Sequence, residues 1–270
     1  MSRIDAGVAR HQVHWRAHGS GSALVLLNGY GAAGTAWPLA WQRTLRARHR
    51  VVTPDLRGSG RSRFSQTPFS IADLADDVVA VLDQAEIERG CILGLSMGGM
   101  VAQELALRAP ERVAGLVLAG SRPPVPRFTR PPLRSSLRLL LPSGPGRTLA
   151  DYYHRQWTSA TAPGFADDHP HLIDELVDQT LEGPTSRRML RHQVAAMMAW
   201  GHAERLERLR VPSAVVHGSL DRFSPVANGR ALAELIPDAT YDEVAGVGHL
   251  LPLEAPDRLD AAIADVLAQR

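Results

Sequence analysis

The sequence predicts an α/β fold in which a mostly parallel central sheet is flanked by helices on both faces. Short apolar runs alternate along the chain with amphipathic helical stretches, and the runs are near-continuously apolar, as strands buried on both faces are. One of them, Cys91 to Leu95, passes without spacing into a helical stretch from Met97 to Ala109. At 270 residues and 44% hydrophobic content, the chain is long enough for one large domain, or for one domain carrying an insertion.

In chain order the strand runs are Ala23 to Leu27, Arg50 to Thr53, Cys91 to Leu95, Val113 to Ala119, Ser213 to His217 and Thr240 to Val244. Helices are expected near Ala36 to Ala47, Ser70 to Gln84, Met97 to Ala109, Asn228 to Ile236 and Ala255 to Ala268. Ser70 and Asp73 have the spacing of a capping pair for the second helix. From Arg122 to about Arg210 no strand is evident. That stretch opens with a proline and arginine tract, Pro123 to Pro145, and continues as a helical pattern rich in Trp157, Met189, Met197, Met198 and Trp200. It reads as a helical cap inserted between two strands, with residues 1–121 and 211–270 as the core and 122–210 as the cap. Singly those Met and Trp residues are ordinary helix packing; together they supply the apolar wall of a pocket.

Composition narrows the class. The formal net charge is +2, and the basic residues are spread along the chain rather than gathered into a stripe, so nucleic acid is not an expected partner. All 30 basic residues are arginine, the mark of a GC-rich genome, and no lysine is available for catalysis. The single Cys91 excludes an internal disulfide and fits a reducing compartment. Met1 to His14 lacks an apolar segment, and no apolar run approaches the roughly 20 residues that span a bilayer, so a cytoplasmic protein without membrane attachment is expected. Asp167-Asp168-His169-Pro170-His171 contains ligand-type residues without a second matching cluster, and reads as a solvated loop rather than a metal site.

The chemistry centres on Gly94-Leu95-Ser96-Met97-Gly98. A serine on so tight a strand-to-helix turn sits in a sparsely allowed conformation, and the glycines on either side let neighbouring backbone pass. Its hydroxyl stands above the sheet, and the Met97 N–H lies at a helix N-terminus, where donors are unpaired and negative charge is favoured. A serine hydroxyl needs a base and the base needs a carboxylate. His249 follows the last strand in the turn Gly246-Val247-Gly248-His249. Asp221 follows the strand Ser213 to His217 through Gly218-Ser219-Leu220, on a turn closed by Pro225. His217, at the strand end, reads as structural. The chain order Ser96, Asp221, His249 is that of α/β-hydrolases.

Over Val13 to Ser121 and Val211 to Gln269 the sequence resembles the α/β-hydrolase superfamily. Asn28-Gly29-Tyr30-Gly31 resembles its H-G-x-G oxyanion loop, and Pro54-Asp55-Leu56-Arg57-Gly58-Ser59-Gly60 its P-D-x-R-G-x-G-x-S loop. Gly94 to Glu104 is most similar to the branch of small serine esterases and 3-oxoadipate enol-lactonase-like proteins. The resemblance implies Ser96 as nucleophile, His249 as base, Asp221 as orienting acid, and the backbone N–H groups of Tyr30 and Met97 as oxyanion hole. Asn28 departs from the family's usual histidine, and the family pattern makes Asp55 structural. Candidate substrate-binding residues are Tyr30, Trp157, Met197, Trp200 and Leu250.

These readings converge on a cofactor-free and metal-free serine hydrolase of small hydrophobic carboxylic esters or lactones. The same triad also serves hydrolysis of a carbon–carbon bond or of a thioester on an acyl carrier, for which Arg122, Arg127, Arg130, Arg134 and Arg138 offer a basic approach. From a different class, the fold could act as a ligand receptor or a non-hydrolytic biosynthetic scaffold.

Overall fold

The computed structural model of the chain describes residues 5–9, 13–62, 67–132 and 148–269. Its strands are β1 (Asp5–Ala9), β2 (Val13–His18), β3 (Ala23–Leu27), β4 (Arg50–Pro54), β5 (Gly90–Leu95), β6 (Val113–Ala119), β7 (Ser213–Gly218) and β8 (Thr240–Val244). They form one 8-stranded sheet in the order β1-β2-β4-β3-β5-β6-β7-β8. From β4 to β8 across the sheet every pairing is parallel, while β1 with β2 and β2 with β4 are antiparallel. The β1–β2 hairpin is absent from the sequence expectation. In β2, Val13, Trp15 and Ala17 are buried and alternate with half-buried His14, Arg16 and His18, so the strand carries a period of two without an apolar run.

The core helices are α1 (Leu39–Arg46), α2 (Ile71–Gln84), α3 (Met97–Arg108), with α8 (Ala227–Leu235), α9 (Leu251–Glu254) and α10 (Pro256–Ala268) after the insertion. Ser70 caps α2 by accepting from the Asp73 N–H, and Asp73 accepts in return from the Ser70 N–H. Alternate residues of the central strands feed two separate cores. Val25, Leu27, Ile92, Leu116 and Leu118 pack with α2, α3 and α8, whereas Leu24, Leu26, Leu93, Val117 and Ala119 pack with α1 and α10. Burial on both faces is what makes the strands read as unbroken apolar runs.

Between β6 and β7 the described chain holds helices α4 (Leu149–Ala160), α5 (Phe165–Asp168), α6 (Pro170–Leu181) and α7 (Arg187–Ala199). A single bridge pairs Val125 with Gly201 near the two ends of this helical insertion. No described helix is long and apolar enough to cross a membrane. Arg134, Arg138, Pro142 and Pro145 of the basic, proline-rich tract lie outside the described residues.

Candidate active site

Ser96 occupies the one-residue junction between β5 and α3 with φ 55° and ψ −115°, a left-handed conformation that costs a non-glycine residue free energy. The surrounding glycines explain how the turn closes. A Cβ on Gly98 would stand 1.9 Å from the Leu27 carbonyl oxygen, and one on Gly94 2.4 Å from that of Gly98. The Ser121 hydroxyl donates to the Ser96 carbonyl at 2.8 Å, bracing the junction from the end of β6.

The loop after β3 passes beside it. A Cβ on Gly29 would lie 3.3 Å from the Ser96 Cβ, so backbone and serine are in close approach. Asn28 is buried and fully engaged: its Nδ2 donates to the carbonyls of Ala33 and Ala36, and its Oδ1 accepts from the Gly29 N–H at 2.8 Å. The asparagine thus organises the loop in place of the histidine common in the family. Among the described residues no protein acceptor engages the N–H of Tyr30 or of Met97, the first residue of α3. Asp55 accepts from the N–H groups of Gly34 and Arg61 at 2.7 and 2.9 Å, and so ties two loops together away from the cavity.

Asp221 and His249 come from the turns after β7 and β8. Asp221 Oδ2 accepts from His249 Nδ1 at 2.6 Å, while its Oδ1 accepts from the N–H groups of Phe223 and Ser224, both at 2.8 Å. His217, read from sequence as structural, contributes a further contact. Its Nε2 lies 3.3 Å from Asp221 Oδ2 and donates to the Ser224 carbonyl at 2.7 Å. Burial pushes the Asp221 carboxyl up, but the charge of His249 and hydrogen bonds from both histidines outweigh it and hold the group at about 2. For His249, burial disfavours the imidazolium and the Asp221 carboxylate more than reverses this, raising its pKa. The His249 turn is anchored through its own N–H to the Ala160 carbonyl at 2.7 Å, and by Glu254, which accepts from Gly248, Leu250 and Ala162.

Ser96 and His249 open into one cavity of about 340 Å³, whose floor is the core and whose other walls come from the helical insertion. Of the expected substrate-binding residues, Tyr30, Trp157, Met197 and Leu250 line it. Trp200 does not: it is buried in the core, and its indole N–H donates to Glu104 at 3.1 Å. The buried carboxylate, which Arg205 also pairs with, holds that indole away from the cavity. Residues missed from sequence include Phe128, Tyr152, Tyr153 and Leu190 on the walls, and Gln193, which is wholly buried between two loops. Gln193 Oε1 accepts from the Gly31 N–H and its Nε2 donates to Ser59. Of the arginines offered as a basic approach, Arg122 lines the cavity; Arg127 is exposed 3.7 Å from Glu234, Arg130 is exposed, and Arg134 and Arg138 lie outside the described residues.

The wider comparison agrees with this architecture. The sequence profile described as alpha/beta hydrolase fold matches residues 22–256. A protein of Caulobacter sp. (strain K31) named "Putative carbamate hydrolase RutD" is 31% identical over 268 residues, covering 96% of this chain and 95% of that one. The crystal structure of esterase RhEst1 from Rhodococcus sp. ECU1013 superposes with a TM-score of 0.82 at 25% identity, covering 98% of each chain. The enol-lactonase from Burkholderia xenovorans LB400 does so with a TM-score of 0.81 at 25% identity, covering 98% of this chain and 100% of that one. A profile match across nearly the whole chain, on a fold with this sheet order and this serine turn, means that the protein belongs to the α/β hydrolase fold family.

Proposed function

We propose that the protein is a cofactor-free serine hydrolase of small carboxylic esters or lactones, acting through an acyl-enzyme on Ser96. The observation that carries this reading is the meeting of two features in one cavity: a serine forced into a left-handed turn, and a histidine whose Nδ1 is committed to a buried carboxylate. With Nδ1–H donated to Asp221, His249 Nε2 is the ring nitrogen left to take a proton.

In this mechanism Ser96 Oγ attacks the carbonyl carbon and its proton passes to His249 Nε2. The oxyanion is received by the N–H groups of Tyr30 and Met97, and the imidazolium is stabilised by Asp221. Collapse expels the alcohol, which leaves with the proton from His249. Water then repeats the sequence on the acyl-enzyme, releasing the acid and restoring the serine. In a lactone the leaving hydroxyl stays attached to the acyl group, so one molecule is both alcohol and acid product.

Residues 122–210 act as a cap whose apolar side chains receive the organic body of the substrate. A carbamate carbonyl is open to the same attack, and the similarity to the Caulobacter protein named for carbamate hydrolysis brings carbamates into the substrate panel. The test is turnover of short p-nitrophenyl esters, lactones and an alkyl carbamate by wild type and Ser96→Ala. The reading expects hydrolysis by wild type and none by a folded Ser96→Ala; activity retained in that variant overturns it.

A further inference from the structure

Arg122 follows β6 directly through Gly120 and Ser121, next to the catalytic candidates. A Cβ on Gly120 would lie 3.1 Å from His249 Nδ1, and Ser121 donates to the Ser96 carbonyl. Arg122 is 7% exposed and lines the cavity, yet no carboxylate pairs with it among the described residues. Its Nη1 donates to the Pro123 carbonyl and its Nη2 to that of Met197, and its guanidinium lies 4.0 Å from the centre of the Phe128 ring. These partners orient the fork but bring no negative charge, and the guanidinium has more N–H donors than the two carbonyls use.

Two other part-buried arginines of this chain are treated differently. Arg57 holds Asp77 through two parallel hydrogen bonds, and Arg205 holds Glu104 likewise. Among the described residues that line the cavity there is no aspartate or glutamate, and the other basic one is His249. Burial without a counter-charge is costly, and pulls the Arg122 pKa down to about 10. Such a cost is offset when a ligand supplies the missing anion.

Resting on the serine hydrolase reading, we propose that the cavity selects an ester or lactone that carries a carboxylate on its acyl or ring portion, and that Arg122 binds that carboxylate. The apolar walls receive the intervening carbon chain, and the position of Arg122 beyond Gly120 puts the anion and the reacting carbonyl in one cavity.

The experiment compares monoethyl esters of succinate, glutarate and adipate with the ethyl esters of butanoate, pentanoate and hexanoate. Wild type is expected to prefer the carboxylate-bearing member of a matched pair by about tenfold or more in kcat/KM, the scale of a hydrogen-bonded charge pair. In Arg122→Gln the ratio of charged to neutral kcat/KM falls by about 10–100-fold, and Arg122→Lys recovers part of it. Equal or better use of the neutral series by wild type, or a ratio unmoved by Arg122→Gln, overturns the proposal. Failure of the hydrolase reading looks different, with neither series consumed and Ser96 unreactive. The carboxylate site is then read by binding alone: glutarate raises the Tm of wild type but not of Arg122→Gln, and no shift in wild type overturns it.

Discussion

Gln193 Oε1 accepts the Gly31 N–H at 2.9 Å across a sequence separation of 162 residues, joining the helical insertion to the loop beside Ser96. Thr185, from the same insertion, donates to the Gly31 carbonyl at 2.9 Å, so both faces of that residue are held. Gly31 has φ 73°, and a Cβ there would meet the Leu190 side chain at 2.9 Å. The peptide next to Tyr30 is therefore fixed by the insertion rather than by the core.

This relationship predicts a catalytic cost for Gln193→Ala. Losing an oxyanion donor outright costs about 2.7–4 kcal/mol of transition-state stabilisation. Loosening the loop should cost part of that, about 10–100-fold in kcat with little change in KM. The buried Gly31 N–H left unpaired should lower stability by about 1–3 kcal/mol. Steady-state kinetics and chemical denaturation check both; a rise in KM with kcat intact would show that Gln193 serves the cavity wall instead.

The ionisation of the Asp221–His249 pair predicts the pH profile. In the proposed mechanism His249 must be neutral to accept the serine proton, and its pKa is raised above 6.5, so kcat/KM should climb with pH through a midpoint above 6.5. In Asp221→Asn burial is opposed only by the more weakly acting charge of Glu254, and the midpoint should fall while kcat drops by about 10³–10⁴. The stability signs follow. The contribution of His249 is full below 6.5 and lost as pH rises through its higher folded value. That of Asp221 is present above 3.8 and lost as pH falls toward about 2. A wild-type midpoint at or below 6.5 would contradict the assignment.

The two tryptophans of the insertion should part company. Trp200→Ala removes a buried ring and leaves Glu104 short of a donor, costing about 3–5 kcal/mol with the acyl-length preference unchanged. Trp157 lines the cavity, and its indole N–H donates to Thr180 at 3.3 Å, so Trp157→Ala should move the preferred acyl length. Met197→Ala should do the same. An ester series of increasing acyl length, run beside thermal melts, separates the cases.

The serine turn tolerates no side chain at Gly98. With the Leu27 carbonyl 1.9 Å from a built Cβ, Gly98→Ala must displace β3 or α3. Loss of folded protein, or of all hydrolase activity, is expected by circular dichroism and assay; a folded, active variant would show that the turn relaxes.

Much of this architecture is legible in the sequence because the doubly buried strands and the capped helices write their own local signals. The Ser70–Asp73 cap and the run from Cys91 into α3 are examples. β1 and β2 are harder to read, since they sit at the sheet edge and β2 alternates burial with polar residues. Side-chain direction in the insertion is not a local property. Trp200 and Met197 are three residues apart on or beside one helix, yet Glu104, nearly a hundred residues earlier, draws the tryptophan into the core. Gln193 and Arg122 are likewise hidden, because an isolated polar residue declares no burial until its long-range partners are known.

The most direct test of the account is reaction with a fluorophosphonate, followed by intact-protein and peptide mass spectrometry. An activated serine takes up one equivalent rapidly on the peptide containing Ser96, His249→Ala slows the reaction severely, and Ser96→Ala abolishes it. Wild-type protein that stays unmodified, or that is labelled equally in Ser96→Ala, would contradict the assignment of Ser96 as nucleophile and with it the reading as a serine hydrolase.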